Sequence, residues 1–145
     1  MATKQSPKKF YERSSSEVVT VENSRINGRG IFARMILPSR QKLGEITGQL
    51  VKMPQAKKAV ENLPKIFFVE LSDRWALDCS TGNEFKHINH SCEPNCYLRI
   101  SHQKVEVYSL KKISKGTELT VDYGLTPHKQ GMKCSCGKLK CRGKI

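Results

Sequence analysis

Turn signals recur about every ten residues between Val18 and Gly124, and that spacing restricts the fold more than any other feature of the chain. "EVVTVEN" reads as a strand, "RINGRG" as a turn and "IFARMI" as a second strand. "LPSRQKLGEI" is punctuated by Pro38 and Gly44, and "EITGQLV" resumes an extended pattern. "IFFVEL" and "RWALDC" flank Ser72-Asp73 as a hairpin; "CYLRI" and "KVEVYSL" flank "SHQ" as another; "KGTELTVDYG" turns on Gly116 into a last strand. Only "PQAKKAVENL", opened by Pro54 and closed before Pro64, has the pattern of a helix. The expectation is a mainly β fold of short strands with little helix.

The 145 residues suffice for one domain and are too few for two comfortable ones. No apolar run approaches the eighteen or so residues of a membrane span, and Met1 to Phe10 lacks the apolar centre of a signal peptide. No membrane partner is therefore expected, and the chain is placed inside the cell, in a reducing compartment such as cytoplasm or nucleus. Residues 1–16 are polar and basic, and read as a mobile arm. With 26 basic against 13 acidic residues the formal charge is +13, which fits either an acidic partner such as nucleic acid or a solvated surface. Lysines are scattered from Lys4 to Lys144 and aromatic residues do not alternate with arginines, so base stacking is poorly supported.

Six cysteines are too sparse for a disulfide scaffold, but three of them fall within "CSCGKLKC": Cys134, Cys136 and Cys141. Thiols one residue apart pair badly with each other, yet they can converge on one ion. Zinc needs a fourth ligand, for which Cys79, Cys92 and Cys96 are candidates, with His87, His90 and His128 behind them. "HINHSCEPN", residues 87–95, mixes histidine, asparagine, serine and cysteine in a way no packed strand or helix favours. It reads as an Asx-rich turn or as the floor of a reaction site. "NGRGIF" lets the backbone turn sharply and approach a ligand. "ELTVDYG" is an edge strand with Tyr123 at its end.

Taken in order, "GRGIF", "INHSCEPNC", "ELTVDYG" and "CSCGKLKCRG" resemble the SET domain with its C-terminal post-SET cysteine cluster, in the wording of the trithorax subgroup of histone lysine methyltransferases. The resemblance runs from about Val18 to Gly143 and divides the chain into the arm (1–16), a SET domain (17–124) and a post-SET zinc segment (125–145). It implies small sheets, a C-terminal pseudoknot, and transfer of a methyl group from S-adenosylmethionine to a lysine of a basic protein such as a histone tail. Position by position, it implies Tyr123 as the catalytic tyrosine, and Asn27, Arg29, Gly30, Asn89, His90 and Ser135 as cofactor-binding residues together with Tyr123. Phe67 falls where many relatives carry a cofactor-pocket tyrosine. The resemblance also implies Cys92 as the fourth ligand beside Cys134, Cys136 and Cys141 around one structural zinc.

This chain departs from the pattern in places. Val121 stands where a phenylalanine or tyrosine tunes the number of methyl groups, so Val121 leaves room for more than one unless Tyr97 or Tyr108 fills it. Lys86-His87 replaces Arg-Phe, and the short insert around α-helical "PQAKKAVENLPK" is basic at Lys57, Lys58 and Lys65, which disfavours a basic tail if it lines the peptide groove. "ATKQS" in the arm resembles the start of a histone tail, which makes Lys4 a candidate substrate or occluder. The alternative class is a catalytically weak, zinc-dependent SET module that binds nucleic acid or a chromatin protein through its basic surface.

Overall fold

The computed structural model describes residues 6–61 and 63–145; Lys4 lies outside the described residues. Among the described residues, ten strands, none longer than six residues, form three small sheets. The first sheet joins β1 (Val19–Asn23), β2 (Arg29–Ala33), β10 (Glu118–Val121) and β7 (Asn89–His90), in that order. The second is β3 (Lys42–Ile46), β9 (Lys104–Ser109) and β8 (Cys96–Ser101), and the third is β4 (Gln49–Lys52), β6 (Trp75–Asp78) and β5 (Phe68–Glu70). Both hairpins expected from the sequence, β5–β6 and β8–β9, are antiparallel pairs. Ile31, Leu37, Phe85, Val107 and Leu119, all fully buried, fill the space between the first two sheets and their connections.

Local chemistry explains where the elements differ from the periodicity. Val18 ends a single helical turn, α1 (Ser15–Val18), instead of opening the first strand. Ser14 precedes the turn, and its N–H and hydroxyl both donate to Glu17 Oε1, so a capping interaction outweighs the β-branched run. The described part of the 1–16 segment also folds back on the domain, because Phe10, in a short 3-10 turn at Phe10–Glu12, packs against the main core. The longer helix, α2, spans Met53–Val60 with Pro54 in its first turn, and buries Met53, Ala56 and Val60. Gly44 does not break the chain but lies within β3: a side chain there would meet the Phe85 ring, with a Cβ only 2.4 Å from Cε2.

The largest departure is Asn89–His90. This polar pair is a fully buried strand, β7, paired in parallel with β10 through Thr120↔Asn89 and Val121↔His90. It survives burial because its polar atoms find partners. The same holds elsewhere: among the described residues, no buried side-chain nitrogen or oxygen lacks a hydrogen bond. Asn95 shows the device most simply. Its Nδ2 donates to Glu118 O at 2.8 Å and its Oδ1 accepts from Thr120 N–H at 2.9 Å, so one amide brackets β10 from the side. β10 thus lies inside its sheet, flanked by β2 and β7, and delivers Tyr123 just beyond its end.

Candidate active site and metal cluster

The turn before β2 is the first component. Ser24 Oγ accepts from the N–H of Ile26 at 2.9 Å, tightening the turn, and donates to Glu118 Oε1 at 2.7 Å. Gly30 has no space for a side chain, since a Cβ would sit 2.1 Å from Glu118 Oε1. The Asn89 amide then faces four oxygens: Ser24 Oγ, Asn27 O and Arg29 O at 3.1 Å each, and Glu118 Oε1 at 2.9 Å. Two N–H donors shared among four acceptors fix the orientation of this amide and hold the turn against β7.

His90 ties three parts together. Its Nδ1 accepts from Tyr123 N–H at 3.0 Å, which leaves the proton on Nε2, 3.4 Å from Cys92 Sγ. Burial holds the imidazole below its ordinary pKa, with Arg142 adding to the effect and Asp122 opposing it. The Tyr123 ring lies 5.4 Å from the His90 ring, and its hydroxyl donates to Ile88 O. Burial raises the phenol's pKa, and Cys79 and Glu118 push in the same direction, so the hydroxyl remains a neutral donor.

Two cavities meet at this tyrosine. One, of about 310 Å³, is lined by Asn27, Asn89, His90, Tyr123, Cys134 and Ser135 among others. The other, of about 700 Å³, runs beside α2 and includes Met53, Ala56, Cys79, Ile88, Val121 and Tyr123 in its wall. Among the described residues, Tyr123 is common to both linings. Of the cofactor candidates, Asn27, Asn89, His90, Tyr123 and Ser135 therefore share one cavity, while Arg29, Gly30 and Phe67 are not in its lining. The Arg29 carbonyl accepts from the Asn89 amide, and Gly30 packs against the Glu118 carboxylate. The Phe67 ring stands edge-on to His87 at 6.1 Å with the Lys65 ammonium 6.0 Å from its centre, and the Phe67 carbonyl accepts from Cys79 Sγ. Val121 lies in the larger cavity with Tyr97, which Tyr108 stacks upon at 5.5 Å from outside the lining.

The sulfurs of Cys92, Cys134, Cys136 and Cys141 lie within 4.8 Å of one another. Tetrahedral zinc at Zn–S distances of about 2.3 Å requires sulfur edges of about 3.8 Å. The Cys92–Cys134 edge is 3.7 Å, so the four thiols fit such an ion. Backbone N–H groups of Arg142 and Gly143 donate to Cys92 and Cys141 sulfurs, as suits thiolates. Burial pushes Cys134 up to about 12. At Cys136 burial acts the same way, but N–H groups of Cys92 and Lys138 and the Cys134 and Cys141 thiols outweigh it and bring the sulfur down to about 6. Cys79 and Cys96 stand apart, buried and pushed up to about 12.

A family model for the SET domain matches residues 28–124. The chain belongs to the SET-domain family. Among similar curated proteins are histone-lysine N-methyltransferase trithorax of Drosophila virilis, 30% identical over 87% of this chain, and histone-lysine N-methyltransferase 2B of Homo sapiens, 30% identical over 92%. Histone-lysine N-methyltransferase TRX1 of Oryza sativa subsp. japonica is 31% identical over 84%. The chain spans only 4%, 5% and 13% of the lengths of these three relatives.

Within this SET domain, several participants escaped the sequence. Ser24 and Glu118 complete the Asn89 network, and Asn95 holds β10. Asp122 pairs with Arg142 at 2.7 Å, linking the strand before the catalytic candidate to the cysteine-rich segment. Their signal was only polar residues spaced along strands, which reads equally as solvent-facing alternation.

Proposed function

We propose that this SET domain is an S-adenosylmethionine-dependent protein-lysine N-methyltransferase acting on a histone tail or a similar basic protein. The observation that carries the reading is Tyr123 standing in the wall common to both cavities. The smaller cavity would hold the cofactor: its Asn89 and His90 are held by hydrogen bonds to neighbouring residues, and Asn27 and Ser135 complete its lining. When bound, S-adenosylmethionine supplies an electrophilic methyl group. The target lysine would enter from the larger cavity, whose wall includes the apolar side chains of Met53, Ala56 and Val60 from α2 and Ala76 from β6.

Apolar walls matter because the attacking amine must be neutral. At an ordinary lysine pKa of about 10.4, roughly one amine in 2,500 is uncharged at pH 7, a handicap of about 4.6 kcal/mol. Desolvation in the larger cavity reduces it. The Tyr123 hydroxyl and the carbonyl it meets at Ile88 supply polar atoms at the junction for orienting the amine. The small Val121 leaves space there for an amine already carrying methyl groups. One structural zinc on Cys92, Cys134, Cys136 and Cys141 would fix the wall that Cys134 and Ser135 contribute.

The test is transfer of labelled methyl from S-adenosylmethionine to core histones, to a ribosomal protein mixture and to no acceptor, with Tyr123→Phe beside the wild type. Label in one acceptor that vanishes in the variant supports the reading and names the acceptor class. Label without acceptor points to the chain's own Lys4, and silence in all lanes from zinc-loaded protein defeats the catalytic reading. A nucleic-acid-binding role is favoured by one feature: residues 125–145 carry Lys129, Lys133, Lys138, Lys140, Arg142 and Lys144, all exposed, and no acidic residue. That role predicts affinity falling steeply with salt.

A further inference from the structure

Lys65 lies in the loop after α2 with a half-buried side chain, and its ammonium points inward. It donates to Asn27 O at 3.0 Å and to Arg29 O, the same two carbonyls that the Asn89 amide reaches. The Asn27 side chain returns the contact by donating to Pro64 O at 2.9 Å, which draws the loop over the turn at the rim of the smaller cavity. Glu118 lies near enough to act on the ammonium through space, but among the described residues Lys65 makes no ion pair. The ammonium is held by these carbonyls and lies 6.0 Å over the Phe67 ring, with no contact carboxylate among the described residues, so its partial desolvation carries a cost.

The turn therefore presents a set of oxygens suited to a cation, and Lys65 is the cation found there. We propose that Lys65 is a built-in competitor for the ligand's ammonium: it fills this oxygen set itself, and a ligand that brings its own ammonium must displace it, whereas a ligand without one need not. This rests on the cofactor reading given above. S-adenosylmethionine carries such a group on its amino-acid arm. A ligand with the same nucleoside and sulfur but no amino-acid arm leaves Lys65 where it is. Burial also lowers the Lys65 pKa, with Glu118 opposing, which makes the side chain easier to release.

Calorimetric binding of S-adenosylmethionine and of 5′-methylthioadenosine to the zinc-loaded full chain tests this, in wild type, Lys65→Met and Lys65→Gln. If Lys65 fills the oxygen set about nine-tenths of the time, its removal tightens S-adenosylmethionine about tenfold in both variants and leaves methylthioadenosine unchanged. A second readout needs no variant: acetic anhydride labelling of Lys65, read by mass spectrometry, should rise when S-adenosylmethionine is added and stay constant with methylthioadenosine. Weaker binding of S-adenosylmethionine in the variants would mean that Lys65 holds the ligand, and would overturn the inference. Equal change for both ligands, or no change for either, overturns it as well. Failure of the folded wild type to bind S-adenosylmethionine or S-adenosylhomocysteine at all would defeat the cofactor reading first.

Discussion

The four-stranded sheet and the cysteine-rich C-terminal segment are neighbours held in place by different physics. In the sheet, backbone pairing and burial act together: Ile31 and Leu119 are inaccessible, the Asn89 amide donates to β2, β10 and the turn before β2, and the Asn95 amide brackets β10. In residues 125–145 only Cys136 and Ile145 are buried, Leu125 and Leu139 lie almost fully in solvent, and one isolated bridge, Lys133↔Lys144, stands in for a ladder. Such a segment cannot order itself by apolar burial. Its structure depends on the thiol cluster and on a few anchors, such as Arg142 on Asp122 and the backbone pair between Met132 and Ile145. The smaller cavity draws on both regions, with Asn89 and His90 from the sheet and Met132, Lys133, Cys134, Ser135 and Ile145 from the C-terminal segment, so what happens to the weaker region decides whether it exists.

Metal removal should separate the two regions most strongly. Structural zinc contributes about 10–16 kcal/mol in small metal-folded units, as much as the stability of a whole domain. Chelation is expected to abolish methyl transfer, with amide exchange accelerating across 125–145 while β1, β2 and β10 stay protected. Substituting Cys92→Ala should lower zinc per chain, measured by elemental analysis, whereas Cys79→Ala should leave it at one, because Cys79 lies outside the cluster. Next in size is Tyr123→Phe, which should reduce transfer by about 100-fold or more while leaving S-adenosylmethionine affinity within a few-fold. If affinity falls equally, Tyr123 serves the cofactor side of the wall alone.

Asn95→Ala sharpens the sheet side. It leaves Thr120 N–H and Glu118 O without their bracket, and should cost about 1–3 kcal/mol in urea denaturation without altering zinc content. The smallest effect concerns His87. Burial lowers its pKa, and Lys65, Lys86 and Arg29 add to that. The folded state therefore resists protonation that the unfolded chain accepts below about pH 6.5. Stability from this group is present above that pH and is lost as pH falls toward the depressed folded value. The wild-type denaturation midpoint should decline over that window, and His87→Asn should flatten the decline.

Much of this was legible in the chain. Tyr123 after a strand, Asn89-His90 and the CxCx4C spacing carry recognisable chemistry, and the two hairpins follow from alternation around short turns. What escaped shares one physical cause. Polarity reads as exposure in one dimension, yet Asn89, His90 and Asn95 are buried because distant residues such as Ser24, Glu118 and Thr120 supply partners. Gly44 failed in the same way, since the Phe85 ring that needs its missing side chain lies far along the sequence. Phe67, a position taken from resemblance, has its ring near both His87 and the Lys65 ammonium.

The most direct test follows cofactor affinity and sheet protection together as zinc is withdrawn. S-adenosylmethionine binding should fall in proportion to the zinc lost, while amides of β1, β2 and β10 keep their protection throughout. Binding that persists in zinc-free protein, or a sheet that unfolds in step with metal loss, would contradict a cavity shared between a self-sustaining half and a metal-held half.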